Sequence, residues 1–264
     1  MKKTILVKII ATISYVLMVV INILSNTLPF NNRTTGEISN LYPNLFAPTA
    51  LTFSVWGFIY LALGIYILYQ FGLFQKNKGR DKNKLFLNIN LYFIITCLAN
   101  ILWVFCWHYD FIGLSVICII ILLLSLIKIA QILSKEKFSF KEELFMSLPF
   151  FSYFAWITVA TIANITVFLV SIDWNGFGLA ENYWTIIMLI IGAIIGDMIM
   201  IKKRTLSYGL VLIWAYLGIW QKHISHFEFN SRYPEIIITA IICIFTFLVI
   251  EGYMFCKKYD KRLK

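Results

Sequence analysis

Charge is scarce in this chain. Only 14% of its 264 residues are Asp, Glu, Lys or Arg, against about 25% in a soluble globular domain. That shortage excludes intrinsic disorder, which relies on charge to stay solvated. It also excludes a coiled coil, whose flanking positions are charged. Hydrophobic residues reach 60%, where about 45–50% is usual, so an ordinary cytosolic enzyme is excluded too. Acids are scarcer than bases, 13 against 23. The five cysteines (Cys97, Cys106, Cys118, Cys243 and Cys256) form no C-x-x-C and pair with no His at ligand spacing. They read as buried, inert thiols, and no metal site is expected. Ser-His-Asp and Walker patterns, paired carboxylates for acid/base work, internal repeats and low-complexity linkers are missing as well, so no catalytic activity is expected.

Long apolar runs are what the chain has. Eight stand out, over about 4–24, 49–72, 86–107, 111–133, 145–170, 183–201, 206–221 and 235–256. A spanning helix needs about 20 apolar residues, and only the seventh run is short of that. In lipid every backbone N–H and C=O must be satisfied internally, so the runs are expected to be helices. The fold class is therefore all-α, a polytopic membrane helix bundle of about eight transmembrane helices, with the lipid bilayer as its first partner. The first run follows Lys2 and Lys3 like a signal peptide. It is too long for one and lacks a small-x-small cleavage site, so it reads as a retained span.

The net charge of +10 would suggest nucleic acid in a soluble protein. The basic residues instead sit in short clusters between apolar runs, as they do in cytoplasmic membrane loops. All but Arg33, Lys222 and Arg232 of the 23 fall on one side of an eight-span alternation. That side carries Lys76, Lys78, Arg80, Lys82 and Lys84, then Lys202, Lys203 and Arg204, then Lys257, Lys258, Lys261, Arg262 and Lys264. The split predicts a multi-pass protein of the cell membrane with both termini in the cytoplasm, and no nucleic-acid partner. Outer loops are expected at 25–48 (with Pro29, Pro43 and Pro48), at 171–183, and at 221–234.

Three runs carry polar and aromatic residues at helical spacing. These are Trp56, Tyr60 and Gly64; Asn100, Trp103 and Trp107; and Tyr153, Trp156, Ala160 and Asn164. Each set lies on a single stripe. Such stripes suit a pocket for a flat apolar ligand, because indole and phenol rings supply rigid faces with a polar tip. They equally suit plain packing, with the amides joining helices.

The order of residues bears on that choice. The run Tyr153-Phe154-Ala155-Trp156-Ile157-Thr158-Val159-Ala160-Thr161-Ile162-Ala163-Asn164 resembles the fifth-helix signature of the translocator protein family, the tryptophan-rich sensory proteins. Asn100-Ile101-Leu102-Trp103 resembles the family's third-helix N-x-x-W, with Gly113 near the glycine that opens the fourth helix. Trp56-Gly57-Phe58-Ile59-Tyr60 resembles its second-helix W-x-x-x-Y. Phe46 and Pro48 fall in its proline-containing segment before that helix. The chain departs from the pattern at Ser54-Val55 and Val104-Phe105, where the family has proline, and at Cys118, where an acid is frequent.

The resemblance covers about residues 1–170 and implies a five-helix bundle there, with three additional transmembrane helices over 171–264. It implies a hydrophobic small-molecule partner, a porphyrin, haem or sterol-like molecule bound as ligand rather than as required cofactor. Trp156 and Ala160 would line the pocket, with Tyr153, Asn164, Trp56, Tyr60, Asn100 and Trp103 around them. Residues 25–48, with Phe46 and Pro48, would form the lid. Sensing, sequestration or transport would be the output.

Weaker signals lie further along. Asp197 and Glu251 are the carboxylates nearest the bilayer interior. They suggest the alternative function, a secondary transporter of a small solute, proton-coupled through one of them. Pairing with Lys202 or Lys257 is the plainer reading. Gly192-x-x-x-Gly196 suits close helix packing, within the chain or in a homodimer. His223, His226 and Glu228 read as a solvated outer loop rather than a metal site.

Overall fold

In a computed structural model of the chain, all eight apolar runs are helical. The structure describes residues 2–28, 30–74 and 82–263, with side chains for 3–28, 30–74 and 82–257. Pro29, Lys76, Lys78, Arg80 and Lys264, and the side chains of Lys2, Lys258, Lys261 and Arg262, lie outside the described residues.

The helices in chain order are α1 (Lys2–Thr27), α2 (Thr35–Leu41), α3 (Val55–Gln70), α4 (Asn83–His108) and α5 (Ile112–Leu133). A short turn α6 (Phe140–Glu142) and a π-helical turn Glu143–Ser147 lead into α7 (Leu148–Ser171). Then come α8 (Glu181–Lys203), α9 (Leu206–Ile224) and α10 (Pro234–Leu263). A 3-10 segment, Ala50–Ser54, opens α3. No strand occurs among the described residues.

Among the described residues, seven of the eight long helices are long and apolar enough to cross a membrane, and α9 is the long helix that is not. The reason is where its surface goes. Tyr208, Val211, Leu212, Ala215, Tyr216 and Ile219 are buried along it. It packs against α10, α8 and the 3-10 segment. A helix with most of its surface against protein needs a less uniformly apolar surface than one that lipid surrounds. Helix α1 is the opposite case. Val7, Ala11, Ser14, Met18 and Ser25 are buried on one stripe, while Ile5, Leu6, Ile9, Ile13, Val16, Leu17, Val20 and Ile23 are exposed around it. So large an apolar surface suits a bilayer, not water.

The chain divides into two compact units. The first comprises Met1–Leu41 and Trp56–Ile157, the second Tyr42–Val55 and Thr158–Lys264. The division falls within α7, and residues 25–48 are shared out between the two units.

In the first unit α4 packs against both α1 and α5. The α4–α5 turn is closed by Phe111 N–H donating to Cys106 O at 2.8 Å, with Asp110 at φ +60°. Residues 30–41 are fastened to the end of α4. Asn31 Nδ2 donates to His108 O (3.0 Å), Trp107 Nε1 to Thr35 O (3.1 Å), and Arg33 pairs with Asp110 at 3.1 Å. Ahead of α7, Ser139 and Glu142 form a capping box, and Glu142 also pairs with Lys82.

In the second unit α10 packs against α8 and α9. Glycines set the spacing. A Cβ on Gly192 would lie 2.6 Å from Tyr216 Oη, and one on Gly196 would run into Leu212 and Phe247. The Gly192-x-x-x-Gly196 pattern is therefore used inside the unit. Residues 42–55 are fastened here. Thr49 N–H donates to Gly218 O (3.2 Å), Trp214 Nε1 to Thr52 O (2.9 Å), and Leu45 N–H to Glu181 Oε1 (2.8 Å).

Candidate functional site

In the first unit α3 and α7 bring four rings together. Trp56 and Tyr60, one turn apart on α3, stack at 5.2 Å. Tyr153 and Trp156 on α7 meet the Trp56 ring edge-on at 5.7 and 6.1 Å. Offset and edge-on contacts of this kind are the favoured aromatic geometries. Asn100 on α4 joins the cluster by donating from Nδ2 to Tyr153 Oη at 3.4 Å. Asn100, Tyr153 and Trp156 are buried. The Tyr60 hydroxyl lies beside the Asn100 amide, also buried, yet completes no hydrogen bond.

One member was absent from the expected set. Asn22, inside α1, donates to Asn100 Oδ1 at 2.6 Å and to Met18 O at 2.8 Å. Its signal in the sequence was an amide inside an apolar run, the same signal that singled out Asn100. A second polar chain was also missed. Tyr66 Oη donates to Asn90 Oδ1 (2.8 Å), and Asn90 Nδ2 to Gln70 Oε1 (2.7 Å). Gly64, expected on the Trp56–Tyr60 stripe, instead admits Tyr15, whose hydroxyl would lie 2.7 Å from a Cβ there. Trp103 stacks on Trp107 at 5.4 Å.

Phe46, Pro48, Ala160 and Asn164 belong to the second unit. Phe46, Pro48 and Asn164 are buried and Ala160 half-buried. Phe46 lines a cavity of about 600 Å³ there, together with Ile162, Thr166, Leu169, Trp174 and Trp184. At 100° per residue, Ile162, Thr166 and Leu169 occupy the face of α7 opposite Ala160 and Asn164. The signature stripe and the wall of this cavity therefore use different faces of one helix.

Other candidates take structural places. His223 is buried, its Nε2 2.9 Å from Leu45 O and its ring 4.7 Å from Phe229. His226 Nδ1 lies 2.7 Å from Asn230 Oδ1. No group of three His, Cys, Asp or Glu able to hold a metal occurs among the described residues. Asp197 Oδ1 and Glu251 Oε1 are buried without a hydrogen-bond partner. Gly209 leaves room for the Glu251 carboxylate, which a Cβ there would strike.

The model of one protein family, described as TSPO-like protein, matches residues 8–253. The chain belongs to the TSPO-like family. The match extends through α8 and α9 and most of α10, well past the five spans that carry the motif residues. No curated protein and no solved structure matches the chain. Family and helices together make this a multi-pass membrane protein.

Proposed function

We propose that this TSPO-like chain is a membrane binding protein, not an enzyme, for a flat hydrophobic ligand of the porphyrin or sterol class. The observation that carries the reading is the ring cluster of half-buried Trp56 and Tyr60 with buried Tyr153 and Trp156, and Asn100 beside it. It supplies rigid ring faces and an unpartnered Tyr60 hydroxyl in an apolar setting. A planar ligand would exchange ring–ring contacts for ring–ligand contacts, and its polar edge would answer that hydroxyl. Sensing, sequestration and transport are all consistent with such a site.

The test is tetrapyrrole quenching of tryptophan fluorescence in the purified protein. Trp156→Ala is expected to weaken binding by roughly 2 kcal/mol, about 30-fold in Kd. Absence of saturable quenching at micromolar porphyrin would remove the porphyrin form of the reading.

The charge asymmetry of the loops supports a cell-membrane location with cytoplasmic termini, provided α9 crosses the bilayer within its protein surroundings. Reporter fusions at each terminus test this. A second reading, proton-coupled transport of a small solute, is favoured by one observation: the buried, unpartnered oxygens of Asp197 and Glu251. It requires pH-dependent uptake that disappears in Asp197→Asn.

A further inference from the structure

We propose that the cavity of the second unit is a binding site for free lipophilic organic cations, entered at the 171–183 loop. The site shares no residue with the aromatic cluster of the first unit and does not rest on the reading given for it.

The charge of its wall carries the argument. The chain has a net charge of +10, yet among the described residues no Lys, Arg or His lines this cavity. Among the described residues its charged side chains are Asp173 and Glu181, both exposed to an incoming ligand. The C-terminal end of α7, at Ser171, adds partial negative charge beside Asp173. An anionic ligand such as a porphyrin bearing carboxylates would be repelled at this mouth, whereas a cation would be drawn to it.

The rings are placed for the same chemistry. Trp174 and Trp184 lie 5.1 Å apart with their planes at 57°, and Phe177 stands 5.3 Å from Trp174. Indole faces attract cations through their quadrupole. The cage is held in shape. Trp184 Nε1 donates to Gly176 O at 2.8 Å. Gly176 has φ +62°, and a Cβ on it would sit 3.0 Å from that nitrogen, so glycine suits both the backbone and the close indole. Glu181 is fixed through Oε1 by the Leu45 amide. Below the rim the wall is apolar, with Ile162, Ile165, Leu169, Val170 and Met188. A volume of about 600 Å³ suits one drug-sized molecule. The cavity thus offers an apolar bed for a hydrophobic body, with carboxylates and indoles where a charged head would rest.

Tetraphenylphosphonium and tetraphenylborate test this, being alike in size and opposite in charge. The full chain is placed in phosphatidylcholine nanodiscs, and binding is measured by equilibrium dialysis against empty discs. Saturable binding of the phosphonium, with none of the borate, is the expected result. Asp173→Asn with Glu181→Gln should weaken it about tenfold or more. Both changes suit the backbone, since Asn accepts the positive φ of 52° at residue 173 and Gln keeps an oxygen for the Leu45 amide. Equal binding of both ions overturns the proposal without any variant. So does phosphonium binding that is unchanged in the double variant. The same measurement in uncharged glycolipid discs separates the free cation from a choline headgroup. Binding that appears only in those discs would assign the site to lipid and overturn the proposal.

Discussion

In the first unit, polar groups meet each other between helices: Asn22 with Asn100, Asn100 with Tyr153, Tyr66 with Asn90, Asn90 with Gln70. In the second, glycines let helices close in, and tyrosine hydroxyls reach across. Tyr216 Oη donates to Leu189 O at 2.8 Å, and Tyr208 Oη lies 2.9 Å from Thr158 Oγ1. Both are known solutions for helices in lipid, where burial of apolar surface does not itself drive association. The difference shows where each unit is vulnerable. The first should be sensitive to the loss of an amide, the second to the gain of a methyl group, with Gly64 against Tyr15 the exception in the first.

The largest expected effect comes from that contrast. Gly218→Ala places a methyl group against Thr52, a branched residue whose backbone is itself held by Trp214. It should cost about 1–3 kcal/mol by overpacking. Gly57→Ala in α3 meets open space and should be neutral, or stabilising by about 0.5–1 kcal/mol. Thermal unfolding in detergent reads both, and equal responses would break the comparison. Next in size is Asn100→Leu, which strands Asn22 and Tyr153. We expect about 0.6–2 kcal/mol. Adding Asn22→Leu should cost less than the sum of the two single changes. Strict additivity in that cycle would mean the amide pair is not coupled.

Two smaller predictions compare the halves of the 30–55 segment. Arg33→Ala removes an ion pair whose ends are 39% and 40% exposed, so its cost should stay below about 1 kcal/mol. A larger loss of stability would make the pair a main fastening of this loop. Glu37 accepts from the Thr34 amide (2.7 Å) and hydroxyl (2.9 Å) at the start of α2. Those hydrogen bonds hold its carboxyl below the usual glutamate range. The cap is therefore complete above the ordinary glutamate pKa and is lost as pH falls through the lowered one. Thr34 amide exchange, corrected for its intrinsic pH dependence, should show lost protection on acidification and no such step in Glu37→Gln. In the second unit, a carboxylate likewise holds one amide of residues 42–55, that of Leu45 on Glu181. The amides at Thr49 and Thr52 are held by backbone carbonyls and should keep protection over the same range.

The spans were legible because lipid imposes one requirement on every residue of a crossing helix. Segment ends from the sequence and helix ends in the structure differ by only a few residues for most of the spans. The seventh run was legible as a helix, but its lower apolarity only made sense once its neighbours were known. Trp56, Tyr60, Asn100, Tyr153 and Trp156 were legible as a group through periodicity and motif order together. Asn22 was not, since a lone amide in a long apolar run names no partner. What packs on Gly64 was not legible, because helical phase gives a face but not what lies opposite. The cavity at Trp174 and Trp184 stayed hidden because its wall comes from residues 43–46, α7, a loop and α8. Each of these segments alone looked like an outer loop or an interfacial aromatic.

The sequence by itself determined that this is a multi-pass helical membrane protein with TSPO-like motifs. Hydropathy, charge placement and short-range spacing are local properties, and lipid reads them locally. Tertiary structure alone decided how the 25–48 segment is shared, which glycines carry close contacts, which carboxylate oxygens are enclosed, and where a cavity opens. Those outcomes depend on which distant side chains meet, and the free energy of such meetings is set by three-dimensional neighbours that no single stretch of chain contains.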